Sequence, residues 1–167
     1  MSEVSISLKQ WLTDAKKIAV IGIGNKLRRD DFVGLKIVRD LKGKLPEHVM
    51  LIECETTPES FIELITRFDP SHILILDAGF FKSEASGIQF LRTPEELDPL
   101  TSTISTHYLP LRIFCEYLEK TLDVKIAFLV VQVKRTDFGE GLTKEVETTS
   151  ERVKKMLQQL LPANTKQ

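Results

Sequence analysis

The chain has 167 residues, 42% hydrophobic and 28% charged, which predicts one folded domain spanning residues 1–167 with an ample core and excludes disorder as its main state. Lys+Arg is 23 against Asp+Glu 24, a formal net charge of -1, so the clustered basic surplus of a non-specific nucleic-acid binder is missing. No apolar run approaches the roughly 20 residues that cross a bilayer, so no membrane insertion is expected.

The segment 4–15 carries Val4, Ile6, Leu8, Trp11 and Leu12 at mixed spacing and predicts a short amphipathic helix. Lys17–Gly22 is a short apolar run that ends at glycine, a buried strand. After the loop Ile23–Asp31, the stripe Val33, Leu35, Ile37, Val38 and Leu41 predicts a helix that stops before Pro46. Val49–Cys54 reads as the second strand. Pro58 opens a helix through Phe68, and His72–Asp77 is the third strand. The next strand, Gly87–Arg92, is separated from Asp77 by the nine residues Ala78–Ser86. A parallel crossover needs about a dozen or more, so this strand is expected to run antiparallel to the others. A helix from Ser105–His107 to about Leu122 follows, then the strand Lys125–Gln132. The last helix carries Val146, Val153, Met156, Leu157, Leu160 and Leu161, and a polar tail follows Pro162. The sum is a three-layer α/β/α sandwich around a five-stranded mixed sheet.

In such folds ligands bind beyond the carboxyl ends of the parallel strands. After the first strand comes Gly22-Ile-Gly24-Asn25, four residues, then Asp30-Asp31. A dinucleotide loop needs a glycine where Leu27 stands. Two carboxylates at the helix start also repel phosphate, so a cation is the better guest. Helix capping is the alternative role for Asp30 and Asp31, and one may cap while its neighbour points into the cleft. Asn25 suits a side-chain-stabilised turn or a substrate contact. Asp77 closes an Ile-Leu-Ile-Leu strand, so its carboxylate needs a partner or caps the following turn. His107, near a helix start, is kept neutral and able to ligate, with a plain surface histidine as the alternative. His48 lies in a turn, and His72 lies at the far end of the sheet from Asp77. Asp31, Asp77 and His107 thus share one rim, and two carboxylates with one imidazole suit a divalent cation.

Gly22–Asp31, Leu76-Asp77-Ala78, Ser105-Thr106-His107-Tyr108-Leu109-Pro110-Leu111 and Thr57-Pro58-Glu59 together resemble the nickel–iron hydrogenase maturation endopeptidases. The Thr-His-x-x-Pro-Leu form is most similar to those serving hydrogenase 3, the formate-linked membrane-bound type. The resemblance runs from about Lys17 to Gln132. It implies a phosphorylase/hydrolase-like α/β/α fold with one antiparallel strand. It also implies removal of a C-terminal extension from the hydrogenase large-subunit precursor after nickel insertion. Carried over, Asp31, Asp77 and His107 match the metal-binding positions, with Asp31 and Asp77 the catalytic candidates. Gly24, Asn25 and Phe32 are the substrate-binding candidates, and Phe32 departs from the glycine common at its position.

The resemblance further implies that nickel comes with the precursor. No tightly bound cofactor is then expected, and the site takes nickel, zinc or cadmium when they are added. The rival readings are a self-contained zinc-dependent peptidase and a non-catalytic metal- or nucleotide-binding regulator. Cys54 and Cys115 make neither a disulfide framework nor a CxxC motif, so reduced thiols in a cytoplasmic protein are expected. The N-terminal stretch lacks the basic-then-apolar layout of a signal peptide. A monomer is the expected state.

Overall fold

In a computed structural model, which describes residues 2–81, 87–97 and 108–161, the apolar runs become one sheet. Its strands are β1 (Ile18–Ile23), β2 (Val49–Glu55), β3 (His72–Gly79), β4 (Ile88–Leu91) and β5 (Lys125–Gln132). Their spatial order is β2-β1-β3-β5-β4. The pairs β1–β2, β1–β3 and β3–β5 are parallel, and β4 lies antiparallel along β5, with Ile88 opposite Val131 and Leu91 opposite Phe128. The short link from β3 therefore has the consequence read from its length.

Among the described residues, five helices cover the faces: α1 (Glu3–Trp11), α2 (Val33–Leu41), α3 (Ile62–Phe68), α4 (Tyr108–Thr121) and α5 (Lys144–Leu160). Strand alternation sorts the core into two layers. Leu74, Leu76 and Ala78 of β3 join Ala127, Leu129 and Val131 of β5 under α1, α2 and α5. Ile73 and Ile75 join Ile126, Phe128 and Val130 under α3 and α4. β3 and all of β5 except its two end residues are buried on both faces, so they read as continuous apolar runs.

Several boundaries differ from the sequence reading. α1 ends at Trp11, and Leu12 and Ala15 beyond it still pack into the core. Pro58 opens a 3-10 turn over Pro58–Phe61, and the α-helix begins only at Ile62. β3 continues to Gly79, so Asp77 lies inside the ladder, opposite Val130, rather than at its end. The expected helix start at Ser105–His107 and the tail after Pro162 lie outside the described residues.

The chain leaves β1 for β2 on one side and returns to β3 on the other. The carboxyl ends of β1 and β3 thus flank the switch point where such sheets place their ligands. Gly34 lets the first turn of α2 sit on these two strands. A Cβ there would stand 2.3 Å from the Leu76 carbonyl oxygen and 2.7 Å from that of Ile23. Helix propensity alone favours alanine by about 1 kcal/mol. Backbone oxygens cannot swing aside as a side chain does, so overpacking dominates. Gly34→Ala is expected to lose roughly 1–3 kcal/mol, read as a lower urea midpoint.

Candidate active site

The segment after β1 folds back upon itself. Asn25 Oδ1 accepts the Leu27 N–H at 2.9 Å, the local turn expected of this residue. The Asn25 N–H donates to Asp31 Oδ2 at 2.9 Å. Gly24 has φ +147°, and a Cβ on it would stand 1.9 Å from the Asp31 carbonyl oxygen, so only glycine fits this crossing. The segment then enters a 3-10 turn, Arg29–Phe32, which carries both aspartates.

Neither aspartate caps a helix, which corrects the capping role weighed for them. No side chain caps the 3-10 turn, whose N-cap is Arg28, or α2, whose N-cap is Phe32. Asp31 is 2% exposed and faces the Asn25 amide. Asp30 is 0% exposed, and its carboxylate accepts from four donors: the N–H groups of Lys134, Arg135 and Thr143, at 2.7–2.9 Å, and the Thr143 hydroxyl. Thr143 is the N-cap of α5, so the Asp30 charge also meets the positive end of that helix. This clamp from the 3-10 turn to the β5–α5 link carried no local signal in the sequence.

Asp77 is 3% exposed, and its Oδ1 accepts the Ala78 N–H at 2.8 Å. Burial pushes its pKa well above the ordinary carboxylate range, and the nearby charge of Asp31 pushes it further; the Ala78 N–H opposes both. Asp31 and Asp77 therefore stand close enough to repel. His107, the third predicted ligand, lies outside the described residues, immediately before Tyr108 of α4 in sequence. Among the described residues no third His, Cys, Asp or Glu completes a metal cluster with the pair.

Of the substrate-binding candidates, Gly24 and Asn25 line a shallow cleft of about 170 Å³ together with Lys26, Leu27, Glu55 and Thr56. Phe32 is half-buried beneath the Arg39 guanidinium, 5.3 Å from the ring centroid. Cys54 is buried and pushed up to about 12, chiefly by desolvation, and burial pushes Cys115 up as well. Neither offers a thiolate at neutral pH. His48 Nε2 lies 3.3 Å from the Leu161 carbonyl oxygen, and His72 is buried at the base of β3 with Nε2 3.1 Å from that of Trp11. Both stand away from the rim. No helix among the described residues is long and apolar enough to cross a membrane.

A sequence model described as HycI, hydrogenase maturation protease, matches residues 35–162, a stretch that begins just after Asp31. The hydrogenase 2 maturation protease of Escherichia coli is 30% identical over 152 residues, covering 88% of this chain and 90% of that protein. The crystal structure of the nickel–iron hydrogenase maturation protease HycI from Thermococcus kodakarensis superposes with TM-score 0.81 at 27% identity, over 93% of this chain and 98% of that one. The hydrogenase maturating endopeptidase HybD of Escherichia coli gives 0.71 at 29% identity, over 89% and 91%.

Two variants test the electrostatics. A carboxyl whose folded pKa is raised keeps its proton after the unfolded chain has lost it. Stability then falls as pH rises from the ordinary value of 3.8 through the raised folded value. Asp77→Asn removes that penalty and keeps an oxygen for Ala78. It is expected to unfold at higher urea than the parent at neutral pH, with the advantage vanishing in acid below the ordinary carboxylate range. Asp30→Asn has the opposite sign, because an amide NH2 must face N–H donors whichever way it is turned. It is expected to cost about 3 kcal/mol or more, read by urea unfolding at neutral pH.

Proposed function

The chain belongs to the hydrogenase maturation protease family, a family of peptide hydrolases, and we propose that it removes a C-terminal extension from a nickel–iron hydrogenase large-subunit precursor once nickel is in place. The observation that carries this reading is the pair of buried aspartates, Asp31 after β1 and Asp77 on β3, at the switch point of the sheet. Two like charges held together out of water are relieved by a divalent cation. In this reading the cation is the nickel of the precursor, and Asp31, Asp77 and His107 complete its shell. It arrives with the substrate, so the protein holds no cofactor tightly. Added nickel, zinc or cadmium occupies the same three residues.

Docking the nickel sets the downstream peptide bond over the cleft beside Gly24 and Asn25. A carboxylate beside the bond to be cut is suited to move the proton of the attacking water. Asp77 takes the proton of the attacking water and passes it to the leaving amine. Asp31, held by the Asn25 N–H, turns its carboxyl toward the cation. The reading puts this work in the cytoplasm, on a monomer, with neither nucleic acid nor a membrane as partner.

The test incubates the protein with nickel-loaded and nickel-free precursor and reads the C-terminal mass. Cleavage of the loaded form alone is expected. Asp31→Asn, Asp77→Asn and His107→Ala are each expected to slow it at least about a hundredfold, while His48→Ala leaves it unchanged. Equal cleavage of both forms overturns the nickel requirement. Stoichiometric zinc that survives dialysis, together with such cleavage, establishes the self-contained zinc peptidase instead.

A further inference from the structure

Two segments beside the cleft are zipped together by their backbones. The Gly139 N–H donates to the Leu27 carbonyl oxygen at 2.9 Å, and the Arg29 and Asp30 N–H groups donate to those of Gly139 and Arg135, each at 3.0 Å. The zipper projects two apolar side chains into solvent: Leu27 is 49% exposed and Phe138 is 73% exposed. Phe138 is held there rather than left loose. The Arg28 guanidinium covers its ring at 4.7 Å from the centroid, and Arg28 Nε donates to the Thr136 carbonyl oxygen at 3.1 Å.

The same ridge concentrates positive charge in a chain whose net charge is -1. Lys26, Arg28, Lys134 and Arg135 are exposed, and Arg29 is partly so. Asp137 takes Arg29 at 3.2 Å and Arg135 at 2.9 Å. Among the described residues, Lys26, Arg28 and Lys134 have no carboxylate within ion-pair distance. An exposed aromatic and leucine ringed by cations match the anchor-and-rim pattern of a protein interface, with the charges complementary to an acidic partner. The ridge runs directly into the cleft, because Lys26 and Leu27 line both. Its inner edge is the backbone of Lys134 and Arg135 that Asp30 clamps.

We propose that this ridge docks an acidic peptide segment of the precursor, with Leu27 and Phe138 receiving an apolar side chain and Lys26, Arg28 and Lys134 facing its carboxylates. The inference rests on the proposed function for the identity of that partner. It adds a specificity surface outside the metal-facing residues. Lys26 and Lys134 are the cleanest probes, since neither side chain makes a hydrogen bond or ion pair among the described residues.

The experiment measures binding of the full chain to full-length nickel-free precursor by calorimetry, with nickel-loaded cleavage followed in parallel. The variants are K26E/K134E, F138S and, as a control of equal charge change at the base of the sheet, K16E/K120E. The first two are expected to weaken binding about tenfold or more and to raise KM while kcat is kept. Their urea midpoints stay at the parental value. The control binds as the parent does, and parental binding weakens with salt. Unchanged binding by K26E/K134E and F138S overturns the dock. So does a parent that fails to bind precursor, or one that prefers a mixed-sequence single-stranded oligonucleotide. A parent that binds through the ridge but does not cleave the nickel-loaded form overturns the proposed function and leaves the dock standing.

Discussion

The geometry of the rim hangs on one buried carboxylate. Asp30 has no exposed surface, and a bare charge there would be prohibitive. Its four donors and the N-terminus of α5 offset the lost hydration. These bonds lock the 3-10 turn Arg29–Phe32 to the segment leaving β5. Asp31 is the next residue, so its position above the end of β1 is inherited from the clamp. The Phe138 ridge inherits its position the same way, because Lys134 and Arg135 carry two of the donors.

Asp77 is the electrostatic opposite of Asp30. It is nearly as buried, yet burial and a like-charged neighbour both oppose its ionisation, and the Ala78 N–H opposes them. One aspartate is satisfied by the fold, and another is held at a cost to it. Groups kept in unfavourable environments by a rigid surround are those that function requires. The surround here is rigid for plain reasons. β3 is buried along its whole length, and Gly34 brings the first turn of α2 onto the Leu76 and Ile23 carbonyls.

The sheet was legible in the sequence because its central strands are buried on both faces and so lose the alternation of a half-exposed strand. Even the direction of β4 followed from a link too short to cross over. The ends were less legible. Pro58 and Leu12 each obey a local helix rule until packing replaces it, with a 3-10 turn in one case and an inward turn in the other. The turn at Asn25 was readable because its bond spans only two residues. The role of Asp30 was not. An aspartate before an apolar helix looks like a cap, and nothing nearby says that its partners lie 104 to 113 residues further along. Gly22-x-Gly24 was readable as a failed phosphate loop and, through the resemblance, as a substrate contact at Gly24. The need for Gly24 appears once the Asp31 carbonyl is seen to pass within 1.9 Å of where a Cβ would be.

The two ends of the sheet divide polarity from reactivity. At the base, His72 is buried edge-on against Trp11, 4.7 Å between ring centroids, and burial keeps its imidazole from charging. The two thiols are protonated for the same reason. At the rim, the charge of Asp31 adds to burial in raising the pKa of Asp77. Burial and that charge favour the protonated form of Asp77, a preference that the arrival of a cation reverses. Under the proposed function that arrival is the nickel of the precursor, which exchanges with the proton and turns Asp77 into a carboxylate where the peptide bond is to be cut. The repulsion that weakens the empty site is then the same force that makes it respond to a metal-loaded substrate.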